Sequence, residues 1–189
     1  MRAIGLVLLA TVAACQATTA SSSGGPSNVK TESAGSAAFA RYRTFGFRLA
    51  ETPPAPYAVS PRSFEVERRV HDLIVSELVR KGYTEAATNG DFVFRLSSGT
   101  AKADKVEPTT TGGGTENEPQ SVTSGEIVVD AFDGSTSQQV WHGTAQAIVD
   151  PQRINQEALG AAVQRMLATI PARGAANGTT ATSSATVHE

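Results

Sequence analysis

Residues 125–149 read GEIVVDAFDGSTSQQVWHGTAQAIV, and this stretch decides the fold. Two runs, Gly125–Asp133 and Val140–Val149, alternate on either side of a turn containing Asp-Gly, the pattern of a β-hairpin. In the second run Trp141 shares parity with Gly143, Ala145 and Ala147, small residues that let a large indole or a crossing helix pack close. Trp141 is therefore expected in the core. His142 falls on the opposite, exposed face, with Glu126, Asp130 or their neighbours as its charge partner.

Working outward, Asp150-Pro151 is expected to cap a helix running into Ile170-Pro171-Ala172-Arg173, with Leu159, Val163, Met166, Leu167 and Ile170 as its buried stripe and Pro171 ending it. Upstream, Asp91–Leu96 alternates with Phe92, Phe94 and Leu96 inward. Between this strand and the hairpin lies SSGTAKADKVEPTTTGGGTENEPQSVTS, which the composition assigns to a flexible insertion over residues 98–124. A first helix is expected from Ser60-Pro61, with Val66, Val70, Leu73, Ile74 and Leu78 at helical spacing and Gly82 at its end. His71 lies beside that stripe as a boundary residue. Arg43–Leu49 reads as a strand with Phe45, Phe47 and Leu49 on one face, and the Pro-rich stretch after it cannot continue the strand.

These elements predict an α+β fold: a two-layer sandwich in the order β-α-β-β-β-α, with a four-stranded, largely antiparallel sheet and two helices on one face. With 40% hydrophobic residues in 189, the chain holds one ordinary domain, placed at residues 37–171. A net charge of -2 supplies no basic stripe for a phosphate backbone, so nucleic acid is not an expected partner. The single cysteine, Cys15, leaves the domain without an internal disulfide.

The N-terminus explains that cysteine. Arg2 and the apolar run Ala3–Val12 have the form of a secretory signal, too short to span a bilayer. Val12-Ala13-Ala14-Cys15 resembles the lipobox of bacterial lipoproteins. The resemblance implies a signal peptide over residues 1–14, acylation of Cys15, and a lipidated flexible tether over residues 15–36. Gln16 after the cysteine resembles the sorting pattern for the outer membrane, with the domain facing the periplasm. The tail, residues 172–189, reads as disordered.

A second resemblance covers roughly residues 40–171. Tyr42-Arg43-Thr44-Phe45, the helix ending Leu78–Tyr83, Asp91-Phe92-Val93, Gly125–Asp133 with its Asp-x-x-Asp, and Val140–Ala145 with its Trp-x-Gly are similar, in this order, to the DUF4136 family of bacterial lipoproteins, a domain of unknown function. Glu126 stands where an apolar residue is commoner. The resemblance implies an α/β sandwich in the envelope and brings no activity or site residues.

No catalytic constellation is legible. Asp130 and Asp133 differ by an odd number and point to opposite faces of a strand, and Asp133-Gly134 is explained by turn chemistry. The sequence shows no nucleophile motif, phosphate loop, metal cluster or cofactor signature. The expected role is a non-enzymatic binding or assembly module of the cell envelope, tied to the membrane through acylated Cys15. Its candidate interaction surface is Asp130, His142 and Thr144, facing an envelope protein partner. The alternative is a small-ligand carrier or hydrolase with a pocket between helices and sheet. The sequence assigns neither the partner nor an oligomeric state.

Overall fold

A computed structural model describes residues 28–34, 39–48, 51–111 and 114–173 of the chain, with residues 105–111 and 114–120 described by backbone alone. The assignments to the signal peptide, to Cys15 and to residues 174–189 lie outside the described residues.

The elements are β1 (Asn28–Ser33), β2 (Thr44–Phe47), α1 (Ser63–Arg80), β3 (Thr84–Glu85), β4 (Phe92–Thr111), β5 (Gly114–Asp133), β6 (Gln139–Ile148) and α2 (Gln156–Leu167). The sheet has six strands in the order β1-β6-β5-β4-β2-β3. The class is α+β with two helices, as expected, but the sheet is mixed, because β2 runs parallel to β3 and β4.

Two corrections account for the difference from four strands. Residues 28–33, read as tether, form β1 and pair antiparallel with β6, from Asn28 opposite Gln146 to Ser33 opposite Trp141. The segment is polar, yet Val29 and Thr31 alternate with Asn28, Lys30 and Glu32, and Val29 packs on the core. Likewise, the reading of 98–124 as an insertion gives way to strand: β4 and β5 stay in register from Phe92 opposite Asp133 to Thr111 opposite Gly114. Backbone pairing satisfies the peptide groups of this polar stretch, and Ser98 at its start is buried against Ser63 of α1. Beyond Thr100 and Ser124 no third strand among the described residues joins the pair, which continues as a two-stranded ribbon.

One face of the sheet carries the core. Phe94 lies opposite Ala131, and Ala131 opposite Trp141, and both helices cover this row. Val70, Ile74 and Leu78 of α1 are fully buried, with Val66 and Leu73 at the margin; Leu159, Val163, Met166, Leu167 and Ile170 are buried beneath α2. Phe39 and Tyr42 complete an aromatic cluster with Phe92, at ring separations of 5.6 and 5.3 Å. The Trp-x-Gly spacing has a steric cause: a Cβ on Gly143 would overlap the Trp141 ring, whose Nε1 donates to Thr169 Oγ1 at 2.8 Å.

The helix starts also differ from expectation. Ser60 and Pro61 form a turn ahead of α1, whose N-cap is Arg62 without a side-chain bond. Asp150 closes a turn through the Gln152 amide, and the cap of α2 is Asn155, which accepts from Ala158 N at 2.9 Å.

The described chain enters and leaves at opposite ends. Asn28 lies beside Gln146, near the first turn of α1, whereas Arg173 donates its backbone N–H to the Lys81 carbonyl at the far end of that helix.

Candidate functional site

The helix-free face collects side chains at alternate positions of β1, β6, β5 and β4. Register places Glu32 opposite His142, His142 opposite Asp130, and Asp130 opposite Arg95. Asp130 Oδ1 contacts His142 Nδ1 at 2.6 Å and accepts from Gln139 Nε2 at 2.6 Å. The expected charge partner of His142 is thus Asp130. Thr144 stands two positions along β6 on the same face, half-buried, so Asp130, His142 and Thr144 share one surface.

Arg95 extends that surface. Its guanidinium lies 4.4 Å from the centre of the Phe132 ring and donates to Glu51 Oε1 at 2.6 Å. Neither Arg95 nor Lys30 and Glu32 belong to the surface read from the sequence. The alternation in NVKTES was the signal available for the last two.

Asp133 points the other way. Opposite Phe92 in register, it sits on the core side, where its Oδ1 accepts from Ser135 N, Ser135 Oγ and Thr136 N. Its Oδ2 accepts from Tyr42 Oη at 2.7 Å and Arg41 Nη2 at 3.2 Å. The Ser135 hydroxyl first, then Tyr42 and the Thr136 amide, hold this carboxyl well below the usual carboxylate range. Asp133 is a structural anchor, and it forms no pair with Asp130.

Glu126 is 8% exposed and lies opposite Gly99 in register. Its Oε1 accepts from Gln146 Nε2 at 2.7 Å, while Oε2 is buried without a partner. Pro53 of the Pro-rich segment sits over Gly99, in space that a Cβ there would fill.

A cleft of about 750 Å³ opens on the helix side, between the starts of α1 and α2 and the sheet, with Ser63, Val66, Ile127, Ala145, Arg153 and Leu159 among its walls. It does not include Asp130, His142 or Thr144. Among the described residues no group of three His, Cys, Asp or Glu could hold a metal ion, and no helix is long and apolar enough to cross a membrane.

The chain matches the model of DUF4136, a domain of unknown function, over residues 29–172. Among solved structures it is similar to a DUF4136 family protein from Bacteroides thetaiotaomicron, at 13% identity and TM-score 0.45, covering 73% of this chain and 92% of that one. It is similar to the PelC dodecamer from Paraburkholderia phytofirmans at 14% identity and TM-score 0.46, covering 77% and 98%. A PDZ domain protein from Parabacteroides distasonis matches at 14% identity and TM-score 0.48 over 74% of this chain, which spans only 34% of that protein. No curated protein matches the chain.

Proposed function

The chain belongs to the DUF4136 family, and from that premise we propose that it is a bacterial envelope lipoprotein acting as a non-enzymatic binding or assembly module. Cys15 carries the acyl chains that hold it to the outer membrane, and the domain faces the periplasm. It receives an envelope protein on the helix-free face at Asp130, His142 and Thr144.

The observation that carries this reading is the separation of two features by the sheet. The ordered polar groups stand on the open face, and the cleft lies on the helix side. A half-buried Asp–His pair on the helix-free face, outside the cleft, suits recognition, whereas acid–base chemistry calls for convergence on an enclosed substrate. Anchoring rests on the lipobox. Asn28, where β1 begins, follows Cys15 by 13 residues (28 minus 15).

Intact-mass measurement of natively purified protein should show a diacylated or triacylated Cys15 as the first residue. Photo-crosslinkers at 142 and 144 in intact cells should capture one recurrent envelope protein. Capture of bulk lipid and abundant porins alone would overturn the recognition role.

The cleft favours a second reading, a carrier of a small apolar ligand. Its volume lies within the roughly 300–1,000 Å³ usual for such sites. Ligand co-purifying with the wild type and absent from Ala158→Phe, which narrows the cleft, would support that reading.

A further inference from the structure

We propose that β1 is a self-recognition edge, through which two copies of this chain join antiparallel, β1 against β1, into one continuous sheet. The inference concerns the edge of the sheet and is independent of how the chain is anchored.

β1 ends the strand order, and among the described residues no strand pairs with its outer side. Ala34 N–H donates to the Val140 carbonyl at 2.9 Å, so the even-numbered residues of β1 turn their peptide groups toward β6. Val29 and Thr31 therefore turn theirs outward, ready to pair. No proline interrupts the strand.

The side chains select the partner and the register. Lys30 and Glu32 are exposed on the helix-free face, and neither has an ion-pair partner among the described residues. A two-fold axis through Thr31 sets Thr31 against Thr31 of the second copy. It also sets Lys30 against the second copy's Glu32, and Glu32 against its Lys30. Shifting the axis by one residue either way opposes Lys30 to Lys30 or Glu32 to Glu32, which like-charge repulsion disfavours.

The strand is thus complementary to itself in one isologous register, as a closed dimer requires. The pairing also extends the row already present on that face. Arg95, Asp130, His142 and Glu32 lie opposite one another in succession, and the next position is filled by the second copy's Lys30.

Sedimentation of the purified full chain over a range of concentrations tests this. The wild type should show a reversible monomer–dimer equilibrium. Lys30→Glu and Glu32→Lys should each weaken it by about tenfold or more, since each places like charges opposite one another twice. The double reversal, Lys30→Glu with Glu32→Lys, should restore the wild-type constant. Thr31→Pro removes an outward N–H and leaves the bonds to β6, so it should abolish dimerisation without unfolding the chain. A monomer at every concentration overturns the proposal. So does a dimer that ignores the single reversals, or one that the double reversal fails to rescue.

Discussion

Tyr42 and Asp133, 91 positions apart in sequence, meet at 2.7 Å between Oη and Oδ2 in a buried hydrogen bond. The contact ties the segment before β2 to the turn of the β5–β6 hairpin. The same carboxylate organises that turn through Ser135 and Thr136. Asp133→Ala removes both functions and should cost about 2–4 kcal/mol, seen as a lower urea midpoint. Tyr42→Phe, which loses one charge-assisted bond, should cost about 1–2 kcal/mol.

The pH dependence follows from the same carboxyl. Its pKa in the folded chain is depressed below the ordinary 3.8, so the unfolded state takes up protons first as pH falls. The stability it contributes is fully present above pH 4 or so and declines below that value. Asp91, lowered by the amides of Arg43 and Thr44, acts in the same direction. Acid titration of the midpoint should show a steeper loss below about pH 4 in the wild type than in Asp133→Asn. Parallel curves would exclude Asp133 as the source.

Glu126→Val is expected to stabilise the chain. One carboxylate oxygen is buried with no partner, and Gln146, which bonds the other, is only partly buried and can turn to water. An apolar side chain of similar width removes the uncompensated desolvation, a gain of about 1 kcal/mol by thermal or urea unfolding. A loss of that size would mean that Glu126 has a role the hydrogen bonds do not show.

Gly143→Ala should cost about 1–3 kcal/mol, because the new methyl meets the Trp141 ring and the ring, 1% exposed, has nowhere to move. Combining it with Trp141→Phe should recover part of the loss. That recovery in a double-mutant cycle distinguishes the steric cause from a strand effect of removing glycine.

Caps separate the two readings of the second helix. Asn155→Ala should lose about 1 kcal/mol, since it deletes the bond to the Ala158 amide. Asp150→Ala, which loosens only the preceding turn, should cost less. The reverse ranking would restore Asp150 as the effective start.

Periodicity in the sequence reveals the elements whose burial is one-sided. Trp141 and His142 part company on β6, Phe92, Phe94 and Leu96 face inward, and both helix stripes lie where their spacing puts them. β1 and the outer halves of β4 and β5 have little apolar content, so composition reads them as tether and loop. They are strands because a neighbour's backbone pairs with theirs, which local composition does not encode. The helix starts move for a local reason: the side chains of Ser60 and Asp150 accept from the amides two residues on, Arg62 and Gln152, and so close turns ahead of the helices. The Asp133–Tyr42 bond was illegible because it links distant segments.

The opposed exits of the described chain have a mechanical consequence. A pull between Asn28 and Arg173 would load β1 along its own axis, shearing all its bonds to β6 together instead of unzipping them one at a time. A force sensor grafted across these two points should register a high rupture threshold, with the first strand as the clasp that resists the tug.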